Sequence, residues 1–207
     1  VYVTTGDSAR PWCRSRSSTQ DGPSGRCGSY AALMSDEDRE RWDARYADRS
    51  PPGKTAVPPE FAPFAEAFPT TGRGLDLGCG QGAFSVWLAQ RGVTMRGLDV
   101  SPVAVARARD LAQANGVADR CRFEAFDLDD GLPPGEPANV VVCHRFWDPR
   151  LADAITARLA PGGLLAICAL STGRYGVSSG ELLATFPDMT VVGSGERDGT
   201  TWLLAVG

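Results

Sequence analysis

Leu75-Asp76-Leu77-Gly78-Cys79-Gly80-Gln81-Gly82 is the stretch from which the fold can be read. It joins a short apolar strand over 74–77 to a segment, 82–91, in which Phe84, Trp87 and Leu88 repeat at helical spacing. Glycines at 78, 80 and 82 permit a tight turn and let a ligand come close to the backbone, because no Cβ stands in the way. The helix that follows would turn its unpaired N–H groups, and the positive end of its dipole, toward the same place. A loop of this kind can hold a phosphate, a carboxylate or the edge of a ribose.

The same strand–helix alternation continues on the C-terminal side. Residues 94–98 predict a strand ending at Asp99, and Ser101-Pro102 offers an N-cap with proline at the first helical position. Ala104, Ala108, Leu111 and Ala112 line one face of that helix, which stops at Asn115-Gly116. A third strand, 120–125, runs out at Asp127, and a fourth, 138–143, leads into His144 and Arg145. A helix over 151–159 is broken by Pro161-Gly162-Gly163 before a fully apolar strand over 164–170. A short helix near 181–186 and two strands, 189–192 and 201–206, joined by a Gly/Glu/Asp turn, follow. Continuous apolar strands separated by amphipathic helices predict a parallel sheet covered on both faces. The expected fold class is α/β, a Rossmann-like three-layer sandwich whose mostly parallel seven-stranded sheet ends in an antiparallel C-terminal strand.

The composition fits such a domain. The 207 residues are 43% hydrophobic and 22% charged, close to the globular average, which excludes collagen-like, coiled-coil and fully disordered chains. No stretch approaches the roughly 18–20 uninterrupted apolar residues of a membrane span. The net charge of −4 gives no electrostatic support for binding nucleic acid or an anionic membrane. The six cysteines include no C-x-x-C pair, and His144 is the only histidine, so no zinc site is expected. Cys121, Cys143 and Cys168 lie in strand-like runs where buried free thiols are ordinary, which points to a reducing, cytoplasmic setting.

The N-terminal part differs. Residues 1–33 carry four arginines against two aspartates and no hydrophobic periodicity, the composition of disorder, and they lack the apolar core of a secretory signal. Residues 1–34 are therefore expected to be a disordered tail, or to lie upstream of a true start at Met34. Residues 35–49 predict a charged helix, with Ser35 and Asp38 in a capping-box arrangement and Trp42 and Tyr46 on one face. A loop containing Pro51, Pro52, Pro58 and Pro59 and a short helical piece over 61–67 come next. The domain expected is 35–207, with 35–68 as a helical lid and 72–207 as the core.

In open α/β sheets the ligand crevice lies beyond the carboxyl ends of the strands. Three acids stand at such ends: Asp76, Asp99 and Asp127. A carboxylate suits vicinal ribose hydroxyls because it only accepts hydrogen bonds and can take both at once, the role expected of Asp99 with Val100 beside it. Asp127, flanked by Phe126 and Leu128, could accept the exocyclic amine of an adenine. Gly78, Gly80 and Ala83 also satisfy a dinucleotide fingerprint, with Asp99 near the spacing of its acid, so an NAD(P)-dependent oxidoreductase is a rival reading. Against it, Asp76 would place negative charge beside the pyrophosphate, and Gly82 is superfluous to that fingerprint.

The run LDLGCGQG over 75–82, Asp99, Asp127 and the LAPGG of 159–163 resemble class I S-adenosylmethionine-dependent methyltransferases. The small size, the Trp42-x-x-x-Tyr46 pair and the short tail are similar to the tellurite-resistance and thiopurine methyltransferase-like group. The resemblance implies that Asp76 and the loop containing Gly78, Cys79, Gly80 and Gly82 hold the methionine end of S-adenosyl-L-methionine. It implies Asp99 for the ribose and Asp127 with Leu128 for the adenine. Trp42 and Tyr46 could fold over the cofactor. His144 would line the crevice or accept a proton from an acceptor, while Arg145 and Trp147 could shape the acceptor pocket, unless Arg145 pairs with Asp148.

Such a reaction asks mainly for alignment, since the sulfonium already activates the methyl group; positioning alone can lower a barrier by about 7–11 kcal/mol. The residues after the fourth strand, CHRFWDP, lack the Asn/Asp-Pro-Pro-aromatic motif of enzymes that methylate exocyclic amines of nucleic acid bases. The expected acceptor is a small molecule reacting through O, S, N or a metalloid, the expected partners include neither nucleic acid nor membrane, and the expected state is monomer or homodimer. A catalytically silent S-adenosylmethionine-binding protein is the remaining alternative.

Overall fold

The computed structural model describes residues 27–48, 55–173 and 176–207. The segment 1–26 and the prolines at 51 and 52 lie outside them. Helix α1 (Cys27–Ala47) is followed by a 3-10 segment (Ala62–Ala67) and then by the alternating core. The core elements are β1 (Arg73–Leu77), α2 (Ala83–Arg91), β2 (Thr94–Asp99), α3 (Pro102–Ala114), β3 (Cys121–Ala125) and β4 (Ala138–His144). They continue with α4 (Ala152–Arg158), β5 (Leu159–Leu170), α5 (Ser179–Thr185), β6 (Thr190–Arg197) and β7 (Thr200–Val206).

The seven strands form one sheet in the order β3-β2-β1-β4-β5-β7-β6. Pairings from β3 through β5 are parallel, and β7 runs antiparallel to both β5 and β6. The order reverses at β1, so the crevice between β1 and β4 is the topological switch point where ligands of such sheets bind. Each face carries its own apolar layer. Val140, Val142 and Cys168 face the layer of Phe84, Leu88 and Phe123, and Leu75, Val141 and Ile167 face that of Ile155 and Leu182.

Three local expectations are corrected. Helix α1 begins at Cys27, so Ser35 and Asp38 sit inside it rather than at a capping box, and the tail expected over 1–34 gives way to helix from 27 onward. The Ala31-Ala32-Leu33-Met34 run is made of strong helix formers without a breaker, a propensity signal that periodicity does not register. Pro161-Gly162-Gly163 does not end at the strand boundary. It is taken into β5 as a bulge, with the register slipping from Ala138 opposite Leu159 to Val140 opposite Leu164. Finally, the antiparallel strand is not at the sheet's edge. Apolar β7 is buried between β5 and β6, whereas β6, with Gly193 and Gly195, is mostly exposed and forms the edge.

Candidate functional site

The first crossover sets the site. The apolar residues of β1 bring Asp76 into the sheet, and Cys79 N donates to Leu98 O at 2.9 Å, folding the glycine loop against β2. Gly80 is in the left-handed region (φ 52°), and a Cβ there would stand 2.9 Å from the Tyr46 hydroxyl. Gly82 (φ 77°) caps α2, and a Cβ there would meet Ala108 at 2.8 Å. The loop is thus pressed between α1 on one side and α3 on the other.

At the carboxyl ends of the strands lies a cavity of about 650 Å³. It is lined by Asp76, Gly78, Cys79 and Gly80 from the end of β1 and its glycine loop, by Asp99 and Val100 at the end of β2, and by Asp127 and Leu128 after β3. Trp42 and Tyr46 of α1 face it as a stacked pair, ring centroids 5.8 Å apart, and His144 closes the end of β4. Of the residues singled out in the sequence, Gly82 is not on the cavity. Its absent side chain makes room for Ala108 and Phe123 instead, a packing requirement.

Asp99 is 5% exposed, and its two oxygens are already used once each. Oδ2 accepts from Gly80 N at 2.8 Å and Oδ1 from Ser101 N at 3.0 Å. A carboxylate has about four lone-pair sites, so each oxygen keeps one for a ligand hydroxyl. Burial raises the Asp99 pKa, against the two backbone N–H groups that lower it. Asp76 is buried deeper and accepts from Ser85 Oγ at 2.6 Å; burial pushes its pKa up to about 7 despite that bond. Asp127 is half-buried, and its Oδ1 accepts from Asp129 N at 2.9 Å, capping the short turn that buries Leu128.

Helix α1 is tied down beside the loop. Ser101 Oγ, the N-cap of α3, accepts from Ala104 N at 3.1 Å and donates to Asp43 Oδ1. Arg107 donates to Ala47 O at 3.0 Å. These bonds seat the Trp42–Tyr46 face on the cavity.

His144 faces Phe84 edge-on, ring centroids 6.3 Å apart, and burial lowers its pKa. Its Nε2 lies 3.9 Å from Glu60 Oε2. Glu60 lines the cavity, as do Gln81, Arg145, Arg197 and Thr200, none of which the sequence motifs mark except Arg145 and Gln81 by adjacency. Gln81 Nε2 is buried without a hydrogen-bond partner among the described residues, a donor available to a ligand oxygen. Arg145 adopts a left-handed backbone (φ 61°) and does not pair with Asp148, whose partner is Arg150 at 2.5 Å. Trp147 does not shape the cavity; it packs on Phe186, ring centroids 5.7 Å apart, in the layer on the other face of the sheet.

The cavity meets the demands of a nucleoside cofactor bearing an amino acid. It offers glycine backbone without Cβ atoms, an acceptor pair at the second strand end, a buried carboxyl near the loop and an unused amide donor.

Residues 75–163 match the family model described as "Methyltransferase domain". Ribosomal protein L11 methyltransferase from Deinococcus radiodurans is 31% identical over 139 residues, covering 64% of this chain and 51% of that protein. The chain thus spans about half the length of that relative. Among solved structures, one described as "Conversion of a Disulfide Bond into a Thioacetal Group during Echinomycin Biosynthesis" superposes with a TM-score of 0.64 at 24% identity, covering 82% of this chain and 91% of that one. TehB from Haemophilus influenzae gives 0.63 at 17% identity, covering 74% and 63%. At these identities the structural matches speak to the fold.

Proposed function

We propose that this chain, whose residues 75–163 match a methyltransferase-domain family model, is a class I S-adenosylmethionine-dependent methyltransferase that transfers a methyl group from S-adenosylmethionine to a nucleophilic O, S, N or metalloid atom of a small-molecule acceptor. The observation that carries this reading is Asp99, held at the end of β2 by Gly80 N and Ser101 N with a lone pair left on each oxygen. When bound, the cofactor supplies a sulfonium-activated methyl group. The remaining work belongs to the chain's own residues. Asp99 fixes the ribose, Asp127 and Leu128 take the adenine, and Asp76 with the loop from Gly78 to Gln81 holds the amino-acid end. Trp42 and Tyr46 cover the cavity and exclude water. Alignment of donor and acceptor is then the main source of acceleration.

The small-molecule acceptor is supported by enclosure. The acceptor end is bounded by α1, by Glu60 and by the β6–β7 turn with Arg197 and Thr200, and a cavity of about 650 Å³ must hold cofactor and acceptor together. Free buried thiols at Cys79, Cys143 and Cys168 support a reducing, cytoplasmic location. No described helix is long and apolar enough to cross a membrane. A protein acceptor is the second reading, favoured by the relative named for ribosomal protein L11.

Calorimetry with S-adenosylhomocysteine and with NAD(H) tests the cofactor. Saturable binding of the former alone is expected, and saturable binding of NAD(H) alone would overturn the reading. Transfer of labelled methyl to a panel of thiols, phenols and purified ribosomal proteins separates the two acceptor classes.

A further inference from the structure

Glu60, His144 and Cys168 come together from three distant parts of the chain. His144 ends β4 and Cys168 is its register partner on β5, so both side chains leave the same face of the sheet. Glu60 reaches them from the segment before the 3-10 turn, anchored by its neighbour Phe61, which is fully buried among Phe68, Phe84 and Trp202. The carboxylate oxygen, the imidazole nitrogen and the sulfur all lie within 4.8 Å of one another.

Two facts make this more than a cluster. The Glu60 side chain is only 9% exposed, and its buried Oε2 has no hydrogen-bond partner among the described residues. A buried polar oxygen left without a partner is costly, so the position favours an occupant that can bind it. Its distance to His144 Nε2, 3.9 Å, is too long for a hydrogen bond and close to the spacing of two ligands on one ion. With metal–ligand bonds of about 2.0–2.3 Å, ligand atoms of a tetrahedral zinc site stand roughly 3.3–3.6 Å apart.

We propose that Glu60, His144 and Cys168 form a three-ligand site for a thiophilic divalent cation, zinc above all, with its fourth position open to the cavity. The donor set of one thiolate, one imidazole and one carboxylate suits zinc rather than magnesium or calcium, which prefer oxygen. The two anionic ligands offset the two charges of the dication. Binding replaces the S–H bond of Cys168 by an S–Zn bond, and the proton leaves to solvent. Both Glu60 and His144 line the cavity, which supplies the entry path and the open position. Three protein ligands and one free position is the arrangement of catalytic rather than structural zinc. The site shares the cavity with the methyl-transfer reading but uses none of Asp76, Asp99 and Asp127, the carboxylates assigned there to the cofactor.

The test measures zinc bound to the full chain after dialysis against metal-free buffer, together with the visible spectrum of the cobalt-substituted protein. Close to one zinc per chain and a tetrahedral cobalt spectrum with a thiolate charge-transfer band are expected. Cys168→Ser should weaken zinc by about 100-fold or more and abolish that band, while S-adenosylhomocysteine binding, measured separately, persists. If Cys168→Ser does not fold, Glu60→Gln decides, and must likewise lose zinc. Wild-type zinc affinity retained in the folded variant, or an octahedral cobalt spectrum in the parent protein, would overturn the proposal. Loss of S-adenosylhomocysteine binding by the parent would count against methyl transfer and leave the metal site intact.

Discussion

The amide of Gly80 donates to Oδ2 of Asp99 at 2.8 Å, joining the glycine loop to the end of the neighbouring strand. The carboxylate therefore acts twice, shaping the loop and presenting acceptors to the cavity. Asp99→Ala should weaken S-adenosylhomocysteine by at least about tenfold, ~1.4 kcal/mol, in calorimetry. An analogue lacking the ribose 2′-hydroxyl should bind the parent protein more weakly than the full ligand and show no such difference in the variant. Equal losses in both would leave Asp99 with only its role in the loop.

Gly80 is expected to tolerate no side chain. At φ 52° an alanine costs about 1–2 kcal/mol, and its methyl would press on the Tyr46 hydroxyl 2.9 Å away. Gly80→Ala should lower the urea midpoint and weaken cofactor binding. Adding Tyr46→Phe removes the nearest atom, leaving the ring carbon at 3.5 Å, and should recover part of the binding without recovering the backbone strain.

The parallel core was legible because its signals are local. Apolar runs ending in Asp76, Asp99 and Asp127, the Ser101-Pro102 helix start and the Asn115-Gly116 stop each lie within one element and its neighbour. What escaped the sequence depends on contacts across many residues. Nothing near Glu60 marks it as a cavity residue, and Cys168 reads as one more apolar strand position; their meeting with His144 follows only from the β4–β5 register and the seating of Phe61. Gly82 belongs by sequence to the binding loop, but glycine there answers to Ala108 on another helix. Trp147 is one position off: its neighbour Phe146 lines the cavity, while the indole packs on Phe186.

Asp76 should make cofactor binding depend on pH. Burial raises its pKa to about 7, so the folded chain holds this proton where an ordinary carboxyl, at 3.8, has lost it. The folded state thus binds more protons than the unfolded state between these values. The stability contributed by this group is full at low pH and is lost as pH rises through the window. With Asp76 at the amino-acid end as proposed, the cofactor's ammonium would favour the ionised form, and binding would expel the proton below pH 7. S-adenosylhomocysteine affinity should fall by up to about tenfold per unit as pH drops below 7. Asp76→Asn should bind more weakly at pH 8 and flatten this profile, as measured by calorimetry across pH 5.5–8.5.

Phe61 is expected to hold the acceptor side of the cavity in place. It is fully buried, with ring centroids 6.0 Å from Phe68, Phe84 and Trp202, so it joins the segment before β1 to α2 and to β7 at once. Removing a buried phenyl ring costs about 3–5 kcal/mol when the surroundings cannot collapse. A site walled by three other aromatic rings has little freedom to do so. Phe61→Ala should therefore lower thermal stability by that amount. It should also loosen the neighbouring backbone, so limited proteolysis ought to cut near residue 60 before the sheet unfolds. Cleavage confined to other regions, with stability within about 1 kcal/mol of the parent, would show that Phe61 anchors nothing.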